Sequence, residues 1–582
     1  MSSSRPPTNQ QIISFLQRYS ALMEFSGANP FRVRAFANAA RIIEELKVDA
    51  AKMALEGTLT EIDGVGKGVA EFVAEFADTG STVAYDEFTE HIPETLLDLL
   101  RIPGLGTKKV KALYDALEIA TLEELDSACQ NGRLDSLPGF GAKTQQNILK
   151  GIAGLKRFVG QFRLDQAILQ AEALYLHLEE HPATIRISVA GSLRRRKEVV
   201  KDIDIVISCT DPAAVSEAFV THEEVEDVVA WGKRKTSVRL RSGIQVDLRI
   251  VEDDLFPCIL HHFTGSKDHN VLMRSRALAM GLHLNEYGLF RDDEKILTCK
   301  SEEDLFRALR LHYVPPELRE GLGEVDAAEK GDLPELVTDS DIRGMLHVHT
   351  SYSDGNDNLQ EMVEAVRERG YEYVAICDHS KSAGYAFGMK AEDVRQQQEE
   401  IDALNAARCD DFYIFKGIEC DILKDGSLDY DDELLATFDL VVVAIHNPMN
   451  MDEAQMTKRI IRALEHPASH ILAHPTGRIL LEREGYAIDI AEVLAAAAAN
   501  GVAIELNAHP HRLDLDWRQL RRANELGAKV AINTDAHRQS NLDHLHLGVG
   551  IGRKAWLTSE DVINCLDTES LRQYLTNGQR YH

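Results

Sequence analysis

Three aspartates occupy positions from which they could hold divalent cations. Asp202 and Asp204 interrupt the apolar run DIDIVI, and Asp247 lies in a second apolar run, IQVDLRI. Because residues i and i+2 of a β-strand point to the same face, Asp202 and Asp204 project together while Ile203 and Ile205 face the core. Carboxylate oxygens are the ligands that Mg²⁺ and Mn²⁺ prefer. Two ions held by the three side chains could activate an attacking hydroxyl and stabilise a leaving phosphate.

The residues just before Asp202 are of types that bind phosphate. A turn at Gly191 and Ser192 offers backbone amides and a hydroxyl, and Arg195 offers a guanidinium. A guanidinium forms paired hydrogen bonds with phosphate oxygens, which suits a triphosphate. The alternative is an edge strand with solvated acids, but the DxD spacing, the turn and the third aspartate together favour a nucleotide and metal site.

A second group of candidate ligands lies in the C-terminal part of the chain. A single histidine at a strand end is usually structural, but six of seven strand-like runs here finish in a ligand-type side chain, and only the sixth, ending Leu506-Asn507, does not. In a βα barrel these ends converge on one mouth. Imidazoles and carboxylates together suit Zn²⁺, Mn²⁺ or Fe²⁺. Nine ligands exceed the needs of one ion, which predicts two or three clustered ions and phosphoester hydrolysis. The predicted ligands are His347, His349, Asp354, His379, Glu419, His446, His474, Asp535 and His537.

Three short stretches near the N-terminus form an internal repeat. IDGVGKGVAEFV (62–73), IPGLGTKKVKAL (102–113) and LPGFGAKTQQNI (137–148) each contain GxG followed by a helix-like run. The glycines permit a tight turn, and the free amides of the following helix can bind a phosphate. An ordinary helical hairpin explains one copy equally well, whereas three copies favour contacts with a DNA backbone. The predicted DNA-binding residues are Gly64, Gly66, Gly104, Gly106, Gly139 and Gly141.

The composition is that of a multidomain globular protein. The chain has 582 residues, 44% apolar and 27% charged, which is ordinary for such proteins. A net charge of −30 argues against a nucleic-acid partner for the chain as a whole. Binding depends on local patches, however, and basic clusters occur at Lys108-Lys109-Lys111, from Arg194 to Lys197 and at Lys233-Arg234-Lys235.

Cysteine usage and the absence of apolar segments predict a cytoplasmic protein with no membrane partner. The eight cysteines are scattered, with no pair spaced as CxxC, which suits reduced thiols. Residues 1–7 do not resemble a signal peptide. The most apolar helix-like run, Ile488 to Ala499, is too short and too charged to span a bilayer.

The elements that must position these residues change along the chain, which predicts a multidomain protein with α+β and α/β parts. Residues 1–155 read as helices joined by glycine turns, and residues 156–320 mix strands with helices. Residues 321–341 are polar and rich in turn formers, which is typical of a linker. Residues 342–582 alternate strand and helix in seven units, which suggests a barrel.

The motifs of the first 320 residues resemble those of the family X DNA polymerases. The match rests on GS-x-x-R, DID and VDLR, followed by FTGSKDHN (263–270) and LNEYGLF (284–290). The resemblance implies a helix-hairpin-helix domain at 1–80, fingers with further such motifs at 81–155, a nucleotidyltransferase palm at 156–255 and a thumb at 256–320.

Residue roles follow from this resemblance. Asp202 and Asp204 would hold both metal ions, Mg²⁺ or Mn²⁺. Asp247 would hold one of them and take the proton from the primer 3′-hydroxyl. Ser192 and Arg195 would grip the triphosphate, Phe263 and Gly265 would pack against the sugar, and Lys267 and Asn270 would lie near the base. The implied nucleotide-binding residues are Gly191, Ser192, Arg195, His262, Phe263, Gly265, Lys267 and Asn270.

Three positions depart from the polymerase pattern. Relatives that open abasic sites by Schiff-base chemistry carry a lysine on the helix after the first GxG turn; here Phe72 holds that place and Gly68 lies one turn earlier. This predicts absent or weak lyase activity. His262 replaces a tyrosine found in many relatives, which leaves discrimination against ribonucleotides open. Gln245 replaces an arginine near the third aspartate, which could change how the primer end is held.

The last part of the chain resembles the PHP (polymerase and histidinol phosphatase) family. The stretches HVHTSYSDG, CDHS, GIECD, AIHN, AHPTGR and TDAH carry the match across residues 342–582. The resemblance implies a distorted seven-stranded βα barrel in which all nine metal positions are filled, and this favours activity over a scaffold role. Arg478 could assist with phosphate or could be a solvated surface residue.

Together the two resemblances imply a bacterial polymerase that fills short gaps in base excision repair. It would act on gapped or primer-template DNA with dNTPs, as a monomer associated with the nucleoid, and its barrel would supply 3′–5′ exonuclease activity. Cleavage at abasic sites is left open. The alternatives are a small-molecule phosphatase of histidinol-phosphate type, a non-catalytic scaffold for DNA ends, and template-independent nucleotide addition.

Overall fold

The computed structural model describes residue 7 and residues 9–578, apart from 45, 47, 63, 91, 101, 103, 159, 292, 293, 296 and 298. The chain divides into two compact units, residues 1–159 and residues 160–582. No described helix is both long enough and apolar enough to cross a membrane.

The first unit is helical, as predicted. Its helices are α1 (Asn9–Ser26), α2 (Pro30–Glu44), α3 (Ala50–Leu55), α4 (Lys67–Thr79), α5 (Val83–Thr89), α6 (Leu96–Leu100), α7 (Thr107–Leu117), α8 (Leu122–Gln130) and α9 (Ala142–Phe158). The apolar faces of α1 to α5 form one core, and those of α6 to α9 form a second core.

The three GxG repeats share one backbone geometry. The first glycine of each copy has a positive φ, 84° at Gly64, 84° at Gly104 and 89° at Gly139, which a side chain would oppose. The second glycine directly precedes α4, α7 or α9, so each of these helices begins with unpaired amides. The repeat found in the sequence is therefore a structural repeat. The predicted contacts of these glycines with DNA stay a prediction.

We expect borohydride treatment in the presence of a duplex with an abasic site to trap no strong covalent adduct on the helical unit. A Schiff base requires an amine, and the relevant position of α4 is occupied by Phe72. Its side chain is 6% exposed and its ring stacks on Tyr19 with centroids 4.3 Å apart. Gel analysis of the trapped complex, followed by peptide mapping, checks this. An intense adduct mapped to the N-terminal domain would contradict it.

The second unit begins with seven strands: β1 (Phe162–Arg163), β2 (Thr184–Val189), β3 (Val199–Val200), β4 (Asp202–Cys209), β5 (Val225–Trp231), β6 (Lys235–Leu240) and β7 (Gln245–Val251). The strands β1 and β3 form a separate small pair. The other five form one sheet in the order β2-β4-β7-β6-β5, in which β4 and β7 are parallel and the other neighbours are antiparallel. Its helices are α10 (Leu164–Glu179), α11 (Gly191–Arg194) and α12 (Pro212–Val220). The strand β5 was not predicted.

A smaller module follows the sheet. It consists of α13 (Phe256–Thr264), α14 (Lys267–Ala279), β8 (His283–Asn285), β9 (Gly288–Arg291), β10 (Glu294–Lys295), α15 (Glu302–Ala308) and α16 (Glu324–Lys330). The last helix lies inside the predicted linker, and its residues Val325 and Ala328 pack into the core of the module. The polar composition that suggested a linker includes Glu324, which is fully buried and hydrogen-bonds to His269 at 2.8 Å.

The last part of the chain is a seven-stranded parallel barrel in sequence order, as predicted. Its strands are β11 (Gly344–Val348), β12 (Tyr373–Ile376), β13 (Tyr413–Asp421), β14 (Leu440–Ala444), β15 (Ile471–Leu472), β16 (Ala503–Asn507) and β17 (Val530–Asn533). Its helices are α17 (Leu359–Glu368), α18 (Ala391–Ala407), α19 (Asp432–Leu435), α20 (Glu453–Leu464), α21 (Ile490–Asn500), α22 (Trp517–Glu525), α23 (Leu545–Lys554) and α24 (Thr568–Gly578). A parallel bridge between Val348 and Ala536 nearly closes the barrel.

Candidate functional site

The parallel pairing of β4 with β7 brings the three predicted aspartates together. Asp204 lies directly opposite Asp247, and Asp202 lies opposite Gln245. Ile203 between the two acids is fully buried, so alternation along the strand keeps both carboxylates on the other face. The three carboxylates therefore lie side by side on one face of the sheet.

The electrostatics of this group favour a bound cation. Burial, together with the charges of Asp202 and Asp247, raises the pKa of Asp204 to about 6. Burial acts on Asp247 in the same direction, but hydrogen bonds from Lys235, Ser237 and Gln245 outweigh it and hold the pKa of Asp247 below its usual value. A divalent ion would relieve the mutual repulsion of the three carboxylates, and the all-oxygen donor set fits Mg²⁺ or Mn²⁺.

Two contacts of Asp247 were not predicted from the sequence. The Lys235 ammonium lies 2.6 Å from Asp247 Oδ2, and Gln245 Nε2 donates to Asp247 Oδ1 at 3.0 Å. Lys235 belongs to a basic cluster that was noted only for its charge. The strand pattern around Lys235 could have indicated that β6 pairs with β7, but the sequence did not define the register of that pairing.

The turn at Gly191 abuts the carboxylate of Asp204. Gly191 has a φ of +63°, and a Cβ at this position would collide with the carboxylate of Asp204. Only glycine allows the backbone to come so close to the acid. Ser192 follows in α11, so the predicted phosphate-binding turn lies directly beside the predicted metal site.

The remaining residues that were predicted to bind the nucleotide gather around the start of α14. The buried Arg195 donates from Nη1 to the carbonyl oxygen of Thr264, and a Cβ at Gly265 would lie 3.3 Å from the same Nη1. Asn270 Nδ2 donates to the carbonyl oxygen of His262 at 2.8 Å. In the same region the Arg249 guanidinium stacks 3.7 Å from the ring centroid of Phe263, while Lys267 is exposed at the first position of α14.

All nine predicted barrel ligands converge at the ends of the barrel strands. Three groups have ligand atoms that lie within 4.8 Å of one another: His349, Asp354, His379 and His537; then His347, His349 and Asp535; then His379, Glu419 and His446. The ninth residue, His474, places Nε2 3.0 Å from Oε1 of Glu419. Because residues are shared between the groups, the nine side chains form one continuous cluster.

The chemistry of the cluster is that of a divalent-metal centre. Among the described residues, Nε2 of His347, both ring nitrogens of His349 and Oε2 of Glu419 are buried without a hydrogen-bond partner. Leaving so many buried polar atoms unpaired is costly, and a shared metal ion is the partner they lack. His474 and Asp535 also have positive φ values of 26° and 52°, the kind of backbone strain that accompanies functional sites.

The protonation of two histidines differs within the cluster. Burial and the neighbouring His537 lower the pKa of His349 to about 3, so its imidazole is neutral, which is the form that binds metals. Burial also acts to lower the pKa of His347, but the carboxylates of Glu505, Asp535 and Glu419 outweigh it and raise that pKa well above its usual value. The raised pKa of His347 reflects the negative charge of the carboxylates around it, which divalent ions would offset.

Comparison with known proteins identifies the family. Family models match for the DNA polymerase beta thumb (259–320), a helix-hairpin-helix domain (7–82), a SAM-like helix-hairpin-helix tandem (96–153) and the PHP domain (345–509). The DNA polymerase/3′-5′ exonuclease PolX of Bacillus subtilis (strain 168) is 39% identical over 97% of this chain and 99% of its own length. This chain belongs to the family X DNA polymerases that carry a C-terminal PHP domain.

Two further similarities concern parts of this family X chain. A probable phosphatase of Thermoanaerobacter sp. (strain X514) is 26% identical over 40% of this chain and 94% of its own length. A ternary P/T complex of Leishmania infantum polymerase beta is 25% identical and covers 39% of this chain and 99% of that chain, with a TM-score of 0.25. The whole-chain relative and the domain matches confirm both predicted resemblances. The roles of individual residues stay predictions.

The sixth strand of the PHP barrel contributes an acid that the sequence analysis missed. Glu505 is fully buried, and its Oε1 accepts from His347 Nδ1 at 2.7 Å while its Oε2 accepts from the His474 amide at 2.7 Å. The sequence analysis considered only the end of this strand, Leu506-Asn507, which carries no ligand-type side chain, and so it did not consider Glu505. Period-two alternation from Asn507 would have placed Glu505 on the same face.

Replacing Glu505 with glutamine is expected to weaken metal binding by the PHP domain by roughly 10- to 100-fold, the usual effect of losing a carboxylate that orients a metal-binding histidine. The amide keeps the shape but loses the charge that orients His347. Metal titration followed by calorimetry measures the effect. Glu492→Gln, at an exposed position of α21, is the matched control. Equal metal affinity in the two variants would contradict the prediction.

Of the two interpretations of Arg478, the structure supports neither. Its Nε donates to the carbonyl oxygen of Arg512 at 3.0 Å, and the guanidinium lies 3.6 Å from both Glu198 of the palm and Asp516 of the barrel. With its side chain 17% exposed, Arg478 connects the polymerase part to the PHP domain.

Proposed function

We propose that this protein is a DNA polymerase that fills short gaps during base excision repair by two-metal nucleotidyl transfer, and that its PHP domain is a metal-dependent 3′–5′ exonuclease. The observation that carries the proposal is the register that places Asp204 opposite Asp247 beside the Gly191 turn, within a chain that matches PolX of Bacillus subtilis along almost its full length. The proposal places the enzyme with the chromosome, acting as a monomer.

At the palm, Asp202, Asp204 and Asp247 would hold Mg²⁺ or Mn²⁺, which supplies Lewis-acid polarisation to phosphoryl transfer. The Gly191 and Ser192 turn and the Arg195 guanidinium bind the triphosphate of the incoming dNTP. Asp247 accepts the proton of the primer 3′-hydroxyl, and Gln245 and Lys235 hold its carboxylate in place. Stacking of Arg249 on Phe263 supports the surface against which the sugar packs.

In the PHP domain, the nine clustered side chains would hold two or three Zn²⁺, Mn²⁺ or Fe ions, which supply Lewis-acid assistance to phosphodiester hydrolysis. Neutral His349 offers a lone pair, and Glu505 orients His347. Most of these side chains are buried, and the lower local dielectric constant strengthens their electrostatic interaction with a phosphate.

A gel assay on a gapped duplex tests both activities. With dNTPs and Mg²⁺ or Mn²⁺, the wild-type chain is expected to extend the primer to fill the gap; without dNTPs, it is expected to shorten the 3′ end. A reaction without template detects untemplated addition, and a duplex with an abasic site detects cleavage there. No metal-dependent extension would overturn the polymerase proposal.

A phosphomonoesterase is the second candidate for the PHP domain. The probable phosphatase of Thermoanaerobacter sp. matches this region over 94% of its own length. Parallel assays with a 3′-recessed duplex and a small phosphomonoester separate the two candidates, because a phosphatase of small molecules would hydrolyse the monoester and leave the duplex intact.

A further inference from the structure

A lysine of the PHP domain is buried among groups of the polymerase part. Lys554, the last residue of α23, is 0% exposed. Its ammonium donates to the carbonyl oxygen of Arg195 at 3.0 Å, to Glu320 Oε1 at 2.5 Å and to the carbonyl oxygen of Glu317 at 3.4 Å. All three acceptors lie outside the barrel, so the three hydrogen bonds of this ammonium are formed with the polymerase part.

Glu320 links this lysine to the predicted triphosphate-binding arginine. Its Oε1 accepts both from Lys554 and from Arg195 Nε, the latter at 3.0 Å. The Glu320 side chain is 10% exposed, and a buried carboxylate between two cations is held strongly in place. Removing Lys554 would leave Glu320 with one buried cation instead of two and would free one side of its carboxylate.

Hydrogen bonds to Glu320 and Thr264 fix the direction of the Arg195 guanidinium. Nε is bound by Glu320 and Nη1 by the carbonyl oxygen of Thr264. None of the described residues accepts a hydrogen bond from Nη2, so this nitrogen can donate to a ligand. A guanidinium fixed in advance loses less side-chain entropy when it binds a phosphate.

We propose that Lys554 is a positioning residue of the polymerase site: acting through Glu320, it orients Arg195 to bind the triphosphate of the incoming nucleotide. The inference rests on the proposed polymerase function and deepens it, because it gives the PHP domain a part in synthesis that is separate from its metal cluster. Lys554 itself touches neither the nucleotide nor the catalytic aspartates.

The neighbouring Arg553 provides a matched control for a purely structural role. Arg553 Nε lies 2.7 Å from Glu317 Oε1, and its Nη1 donates to the carbonyl oxygen of Val337 at 3.1 Å. It therefore joins the same segment of the polymerase part to the barrel, but within the described part of the chain it forms no hydrogen bond or ion pair with Arg195 or Glu320. A general loosening of this interface would affect Arg553→Met and Lys554→Met alike.

The test uses the full-length chain with a gapped duplex, Mg²⁺ and varied dNTP. Lys554→Met is expected to raise KM for the dNTP by about tenfold, the size of effect that losing one charge-assisted hydrogen bond permits. KM for the DNA and the rate of 3′-end degradation are expected to stay within about twofold, a change worth under 0.5 kcal/mol. Arg553→Met is expected to leave KM for the dNTP unchanged even if its melting temperature falls by the same amount.

Two further variants separate the mechanism from simple damage. Glu320→Gln is expected to raise KM for the dNTP in the same way, and adding Lys554→Met to it is expected to change little, because both act through one link. Lys554→Arg, which keeps the charge, is expected to recover part of the loss. If Lys554→Met does not fold, the comparison of Glu320→Gln with Arg553→Met decides.

An unchanged KM for the dNTP in both Lys554→Met and Glu320→Gln overturns the inference, as does an equal rise in Arg553→Met. Failure of the proposed function has a different signature, because the wild-type chain itself would then extend no primer.

Discussion

Asp204→Asn is expected to reduce nucleotide incorporation by at least about a thousandfold, because a loss of about 4 kcal/mol of transition-state stabilisation is the scale of removing one charged group from a preorganised site. Asparagine keeps the shape of the side chain but cannot replace a carboxylate as a ligand of a hard cation. Degradation of a 3′ end by the PHP domain is expected to continue at the wild-type rate. Primer extension and primer degradation, measured on the same gapped duplex, provide the two readouts.

The folded state of this variant is expected to be at least as stable as the wild type in the absence of metal. Burial and the charges of Asp202 and Asp247 raise the pKa of Asp204 to about 6, so its carboxylate is unfavourable in the metal-free protein. Asp227→Asn, at an exposed position of β5 in the same sheet, is the control. Extension by Asp204→Asn at a rate near that of Asp227→Asn would show that this carboxylate holds no catalytic ion.

His349→Ala is expected to produce the opposite separation: 3′-end degradation should fall by about a thousandfold or more, or about 4 kcal/mol, while gap filling should persist. His349 is fully buried, belongs to two of the three ligand groups and lies with Nε2 3.1 Å from Asp535 Oδ1. Its removal therefore takes a ligand from two positions at once, and the metal content of the purified protein falls with the activity.

The control for this change is His546→Ala, at an exposed position of α23 outside the ligand groups. His546→Ala is expected to keep both activities and the full metal content. A loss of gap filling together with degradation in His349→Ala, or in Asp204→Asn, would refute the existence of two separate sites, whereas opposite losses in the two variants support it.

Local patterns in the sequence located most of the site residues. The DIDIVI run shows by its own alternation that Asp202 and Asp204 share a face, and the succession of HVH, CDH and IHN shows that strand ends in one region carry ligands. The two-residue alternation of a strand and the GxG turn each involve only a few consecutive residues, so a short stretch of sequence is enough to recognise them. The same reasoning indicated the helical first unit and the seven-stranded barrel.

Reasoning from local composition failed where a polar residue is buried by a distant partner. The segment 321–341 was interpreted as a linker, yet Glu324 is enclosed with His269 and the helix around it packs into a core. Glu505 was overlooked because its partner, His347, lies 158 positions away. Composition shows that a residue is polar, but it does not show whether a side chain of another element will form a hydrogen bond with it.

The sequence by itself determined the two sets of candidate metal-binding side chains, the glycine repeat that precedes three helices, and the order of helical, mixed and barrel parts. Only the tertiary structure decided that Asp204 faces Asp247, that Lys235 and Gln245 hold Asp247, and that Lys554 reaches Arg195 across 359 positions. The physical reason is that strand register and domain packing are set by the summed burial of many side chains. Contacts of this kind therefore depend on the whole fold and leave no mark in any short stretch of the chain.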